Sequence, residues 1–117
     1  MPTYKLTYFN IRGRAELTRL VFVASGTNYE DNRIEREKWP AIKESMPQGQ
    51  LPILEVDGFV LPQSLAIARF AAKEVGLFGR NNLEQAQADV VVQTCEDLRS
   101  NWVTAFREKD ETKKVNL

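Results

Sequence analysis

The chain contains no histidine, and its 117 residues include a single cysteine, Cys95. Without histidine, the Ser-His and Cys-His pairs that activate a nucleophile cannot be assembled. A zinc site loses its commonest nitrogen ligand, so no metal is expected. One cysteine makes no disulfide framework, and a reducing, cytoplasmic setting is the expectation. Any acid or base chemistry must come from tyrosine, lysine, arginine or a carboxylate. Charge excess is missing too. Sixteen Lys plus Arg balance sixteen Asp plus Glu, for a net charge of zero. Such a chain favours neither nucleic acid nor an anionic membrane as partner. No apolar run approaches the length that spans a bilayer. The opening Met1-Pro2-Thr3-Tyr4-Lys5-Leu6 reads as a strand and lacks the basic-then-apolar form of a signal peptide. Repeats and low-complexity runs are absent.

What is present fits a soluble globular domain with one modest core: 43% of residues are hydrophobic and 27% charged. Residues 3–9 alternate with the two-residue period of a strand. Residues 14–25 carry Leu17, Leu20, Val21 and Ala24 at helical spacing, and Gly26 closes that helix. A polar second strand is predicted from Tyr29 to Ile34, then a short helical segment over 37–45 with Pro40 near its start. A hairpin over 53–62 and a helix from Ser64 to Val75 follow, with Ile67, Phe70, Ala71 and Val75 inward and Gly76 as terminator. This order predicts an α/β fold, a mixed four-stranded sheet flanked by helices, thioredoxin-like in architecture. Beyond a linker at 76–82, Asn82 and Gln85 resemble a capping box. Ala88, Val91, Cys95, Leu98, Trp102 and Ala105 then form an a/d stripe on a helix of about seven turns. The stripe has too few partners in this chain and predicts further helices or a second subunit. Cys95 on it reads as a small buried hydrophobe.

The densest information lies in Gln50 to Ser64. Asp57-Gly58 between two apolar runs is a strong hairpin signal, because the turn requires positive φ. Pro52 removes a backbone donor where the first hairpin strand begins. Gln63-Ser64 opens a helix, so free backbone N–H groups and a hydroxyl face outward together, a site for a carboxylate or phosphate. An exposed strand edge beside an anion pocket suits an extended, peptide-like ligand. The first strand runs into Phe9-Asn10-Ile11-Arg12-Gly13 with no Cys-x-x-Cys. Dithiol redox chemistry is thereby excluded, and any reacting thiol must come from the substrate.

Four segments together resemble the cytosolic glutathione transferases, sigma class, a class that includes the glutathione-requiring prostaglandin D synthases. They are Tyr4-Lys5-Leu6-Thr7-Tyr8-Phe9, Arg12-Gly13-Arg14-Ala15-Glu16, Gln50-Leu51-Pro52-Ile53-Leu54 and Leu61-Pro62-Gln63-Ser64. The resemblance implies a thioredoxin-like glutathione-binding domain over 1–79. Residues 80–117 are expected to begin an all-helical domain that is truncated here. It makes Tyr8 the catalytic residue, whose hydroxyl stabilises the glutathione thiolate, and Arg14 its electrostatic support or a glutathione contact. Trp39 and Lys43, four apart, are implied at the glycine end of glutathione. Gly49, Gln50 and Leu51 are implied along the peptide, Leu51 through its backbone, with Pro52 in cis. Gln63 and Ser64 are implied at the γ-glutamyl carboxylate, and Asp97 reaches the γ-glutamyl amino group across a dimer interface. Asn101, Trp102 and Phe106 are implied at the border of the electrophile pocket, although Trp102, lying on the apolar stripe, reads first as core packing.

Without the resemblance, Tyr8 packs on a strand, Arg14 is a solvated helix-start arginine, Trp39 is a core residue and Ser64 is a plain N-cap. Two functions stand open. One is a glutathione transferase, with glutathione as co-substrate and a small electrophile as its partner, acting in detoxification as a cytoplasmic homodimer. The other is a truncated, non-catalytic module that binds glutathione or pairs with a full-length relative.

Overall fold

The computed structural model describes residues 2–107, with side chains described through residue 101. Strands β1 (Tyr4–Phe9), β2 (Glu30–Ile34), β3 (Ile53–Val56) and β4 (Phe59–Pro62) form one sheet in the order β2-β1-β3-β4. β2 lies parallel to β1, while β3 is antiparallel to both β1 and β4. The helices are α1 (Glu16–Ser25), α2 (Trp39–Ile42), α3 (Ser64–Glu74) and α4 (Asn82–Arg107). This is the expected thioredoxin-like α/β fold, a mixed four-stranded sheet with flanking helices, followed by one long helix. Spatial contacts divide the chain into residues 1–77 and 78–117.

In the first unit, β1 is central. Its two-residue period puts Tyr4, Leu6 and Tyr8 on one face, all buried. Phe22 of α1, Ile67 and Ala71 of α3, and Leu54 of β3 complete that core with no exposed surface. The Phe22 ring lies 5.1 Å from that of Tyr4 and stacks on Tyr29 at 4.9 Å. Tyr4 donates to Glu74 at 2.9 Å, and burial followed by that carboxylate pushes its pKa up. On the opposite face Thr7 accepts a bond from Asn32 Nδ2 at 3.2 Å, and Phe9 meets Trp39 edge-on at 5.6 Å.

The helix over 16–25 is turned away from the expected stripe. Its turned-in residues are Thr18, Arg19 and Phe22, while Leu17, Leu20 and Ala24 are exposed and Val21 is half-buried. Apolar residues occupy both sides of this helix, so hydrophobicity alone could not choose the face. Arg19 lies inside because it is fully partnered there. The segment predicted as one helix over 37–45 is a single α-turn, α2, flanked by 3₁₀ turns at Arg36–Lys38 and Lys43–Ser45. Thr27 N–H to Phe22 O and Leu77 N–H to Ala72 O close α1 and α3 beyond Gly26 and Gly76, as expected.

Asp57 and Gly58 both have positive φ, 50° and 87°, the hairpin geometry that their types favour. Pro62 lies in β4, an edge strand, where its missing donor leaves no ladder bond unmade. Asp57 also accepts from the Thr3 N–H at 2.9 Å and the Thr3 hydroxyl at 3.1 Å, which hold its carboxyl below the usual carboxylate range. A depressed folded-state pKa stabilises above the unfolded value, and the effect is lost as pH falls through the folded value. Asp57→Asn keeps the turn preference and removes the charge. Thermal melts should place the variant slightly below the wild type at pH 7 and level with it in strong acid; parallel acid limbs would refute this.

The described residues of the second unit are a short loop and α4. Its N-cap is Asn81 rather than Asn82, since Asn81 Oδ1 accepts from Glu84 N–H at 2.9 Å. Glu84 turns back to the Arg80 backbone and guanidinium instead of to the cap's own N–H, which holds its carboxyl below the usual range. The stripe on α4 is open to solvent. Val91 and Leu98 are 63% and 65% exposed, and Cys95 is exposed rather than buried, because among the described residues of this unit no second element covers the stripe. The Trp102, Ala105 and Phe106 side chains lie outside the described residues.

Candidate functional site

Strand β1 carries Tyr8 to its C-terminal end, where residues 10–12 turn into a 3₁₀ segment, Gly13–Ala15, that runs into α1. The Tyr8 ring is buried, and its hydroxyl oxygen accepts the Arg14 backbone N–H at 3.2 Å. That bond occupies an oxygen lone pair and leaves the phenolic proton to be donated elsewhere. Gly13 makes the approach possible. Its φ is +45°, and a Cβ there would sit 2.5 Å from the Tyr8 hydroxyl oxygen.

Arg19 escaped the sequence reading. It is 4% exposed. Its Nη1 donates to Ile11 O at 2.6 Å, and its Nη2 to Phe9 O at 3.2 Å. Its Nε donates to Asp31 at 3.2 Å, and Glu16 stands 3.3 Å from Nη1. The guanidinium carbon lies 5.7 Å from the centre of the Tyr8 ring. The available signal was positional: Arg19 shares a helix face with Ala15 and Phe22, where a solvated arginine does not belong.

A second arm of the site runs from Gln50 to Ser64. The Leu51–Pro52 bond is cis, as the resemblance implied. The ladder begins at Ile53, so buried Leu51 stands just outside the strand pairing. Gln63 adopts φ 78° and ψ 112°, an uncommon backbone for a residue with a side chain. It is the N-cap of α3, and Ser64 is the first helical residue instead of the cap. No side chain caps this end, and the first intrahelical bond is Ile67 N–H to Gln63 O at 2.9 Å. The amides of Ser64, Leu65 and Ala66 therefore head the helix, where the peptide dipoles favour an anion. Gln63 Nε2 donates to Gln48 Oε1 at 2.5 Å and is steadied by it; Gln48 was not anticipated.

One cleft is lined by Arg14, Gln50, Leu51, Gln63 and Ser64, together with Gln48 and two prolines. Tyr8 is not part of that lining; its hydroxyl is bonded to the backbone N–H of Arg14, which is. Trp39, Lys43 and Gly49 stand outside that lining. Half-buried Trp39 packs on Phe9, and exposed Lys43 runs its stem beside Gly49, 3.8 Å from where a Gly49 Cβ would be. Trp39 opens α2 and Lys43 begins the 3₁₀ turn after it, so the four-residue spacing spans two segments. Asp97 belongs to the second unit and is exposed, whereas its neighbour Glu96 is bound by Arg99 at 2.7 and 3.1 Å. Asn101 is exposed as well. Among the described residues, no group of His, Cys, Asp or Glu is arranged to hold a metal, and no helix is long and apolar enough to cross a membrane.

Comparison with known proteins adds four findings. The family model described as glutathione S-transferase, N-terminal domain, matches residues 4–73, more than half of the chain. The chain is 51% identical over 115 residues to hematopoietic prostaglandin D synthase of Gallus gallus, covering 98% of this chain and 58% of the relative. It is 50% identical over 107 residues to glutathione S-transferase 1 of Ascaris suum, covering 92% and 52%. A crystal structure of a nematode-specific transferase of C. elegans superposes with a TM-score of 0.84 at 49% identity, over 91% of this chain and 52% of that one. The chain thus spans just over half the length of the curated relatives it matches.

Proposed function

The chain belongs to the glutathione S-transferase family, and from that premise we propose that it binds glutathione in the cleft at the head of α3 and stabilises the bound thiolate through Tyr8. The observation that carries this reading is the convergence of Arg14, Gln50, Leu51, Gln63 and Ser64 on one cleft, with the Tyr8 hydroxyl tied to its rim. The γ-glutamyl carboxylate would take the amides and hydroxyl at Ser64, with Gln63 beside it. The Leu51 backbone would pair with the cysteinyl residue in the manner of strand addition. Gly49 and Gln50 follow the peptide, and Trp39 and Lys43 receive the glycyl end. Asp97 would reach the γ-glutamyl amino group from a second copy of the chain.

The chemistry asked of Tyr8 is modest and specific. A free thiol has a pKa near 8.5, so little of it is thiolate at neutral pH. A hydroxyl donating to the sulfur favours the charged form. Each unit by which the thiol pKa falls reflects about 1.4 kcal/mol. The proton released goes to solvent, and the thiolate attacks a small electrophile. Conjugation, isomerisation and peroxide reduction share this first half. In this reading residues 1–79 form the glutathione domain and residues 80–117 open a helical one, in a cytoplasmic dimer.

Titration calorimetry of glutathione into the chain tests the cleft. One-site saturable binding is expected. Ser64→Ala should weaken it by roughly tenfold to a hundredfold, the contribution of a charge-assisted hydrogen bond. A folded chain that binds nothing, or a Ser64→Ala variant of unchanged affinity, would refute the assignment.

The exposed stripe on α4 favours a second reading, a non-catalytic module that binds glutathione or pairs with a second copy or a full-length relative. The two readings separate on the thiol proton. The enzyme ionises bound glutathione, and the module leaves it protonated.

A further inference from the structure

We propose that Arg19 is a positioning residue of the thiolate site: it clamps the turn after β1, and so holds the Arg14 N–H on the Tyr8 hydroxyl. The inference rests on the role proposed above for Tyr8. Its grounds are independent of that role, because they lie in a buried charge whose bonds to the backbone all converge on one turn. Carbonyl oxygens of Phe9, Ile11 and Arg12 accept from Arg19, at 3.2, 2.6 and 3.5 Å. These residues are the connection between Tyr8 and Gly13. Two carboxylates balance the charge, half-buried Glu16 on α1 and exposed Asp31 on β2, which Arg33 also engages. Arg19 therefore joins the start of α1, the neighbouring strand and the turn in one network.

The choice of arginine is explicable. The carbonyls and carboxylates are met by all three guanidinium nitrogens, so one side chain serves several acceptors at once. A lysine ammonium is a point charge with three donors and cannot span them. A residue serving only the fold would be better replaced by an apolar side chain, since a buried ion pair is seldom the more stable choice. Here the buried charge sets the position of a backbone segment. That segment has to be set closely, because the Arg14 N–H bonds the Tyr8 hydroxyl and a Cβ on Gly13 would fall 2.5 Å from the same oxygen. With its oxygen accepting from Arg14, the hydroxyl keeps its own proton for the sulfur.

Two measurements on the full chain test this, Arg14 amide exchange by NMR without ligand and ultraviolet absorbance of bound glutathione thiolate. Arg19→Lys is expected to speed exchange at Arg14 by about tenfold, as loss of one hydrogen bond would, and to leave the β1 and β3 amides protected. It should also lower the thiolate fraction of bound glutathione at neutral pH without changing affinity, and do nothing further in the Tyr8→Phe background. If Arg14 stays protected and the thiolate fraction is unchanged, the proposal is overturned. Equal losses in both backgrounds, or a uniform loss of protection, would show a merely structural role and overturn it as well. Should Arg19→Lys fail to fold, Asp31→Asn frees the Nε side of the clamp. Faster exchange at Arg14 would then support the proposal, and no change would defeat it. Glutathione that stays equally ionised in Tyr8→Phe removes the role of Tyr8 alone, since the Arg14 amide still reports the clamp.

Discussion

Tyr8→Phe is expected to slow the attack of bound glutathione on an electrophile by on the order of a hundredfold, the usual effect of removing one donor aimed at a developing charge. Glutathione affinity should hardly move, because the ligand is gripped by groups other than this hydroxyl. The substitution is clean in structural terms. The ring is buried, lies 5.5 Å from Phe9 and faces Arg19 at 5.7 Å, and phenylalanine keeps all of that packing. What disappears is an acceptor for the Arg14 N–H and a donor for the sulfur. The first loss costs about 1 kcal/mol of stability, the second the thiolate. Ultraviolet difference spectra of the glutathione complex, taken across pH, separate the two. The wild type should show thiolate at neutral pH, and Tyr8→Phe should show it only near the pKa of the free thiol. A variant that ionises glutathione as the wild type does would end the case for Tyr8 and assign the ionisation to another group of the site.

Sequence and structure agree where a local rule has one outcome. Asp57-Gly58 prescribes positive φ at two successive residues, and the hairpin forms there with φ of 50° and 87°. The alternation from Tyr4 to Phe9 prescribes a strand, and burial of Tyr4, Leu6 and Tyr8 follows it. The cleft was legible through its motif, since Gln50, Leu51, Gln63 and Ser64 do converge. Agreement ends where tertiary context decides. Apolar side chains on both faces hid which side of α1 turns inward, and Arg19 hid because an arginine reads as solvated until its partners are known. The backbone of Gln63 is likewise invisible in sequence. Its φ of 78° falls at the single residue between β4 and α3. Trp39 and Lys43 show the same limit, because their spacing held no information that the helix stops at Ile42.

Gly13→Ala should disable the site from the backbone side. Two effects act together. At φ +45° a residue with a Cβ is strained, by about 1–3 kcal/mol. The new methyl would also lie 2.5 Å from the Tyr8 hydroxyl oxygen and 3.0 Å from Cε2. Neither partner can give way easily. The ring is buried and packs near Phe9 and Arg19, and the turn is held by the carbonyl bonds to Arg19. Relief requires the turn to move, which carries the Arg14 N–H off the hydroxyl. Overpacking of this kind costs about another 1–3 kcal/mol. Gly26→Ala is the control, because Gly26 has φ +69° but nothing within 4 Å of an added Cβ. It should lose only the backbone part of the stability and ionise bound glutathione normally. Urea melts should rank the wild type above Gly26→Ala and Gly26→Ala above Gly13→Ala. The thiolate absorbance should fall in Gly13→Ala alone. If the two variants melt together and both ionise glutathione, the contact between Gly13 and Tyr8 has no part in the chemistry, and the hydroxyl must be placed by the strand alone.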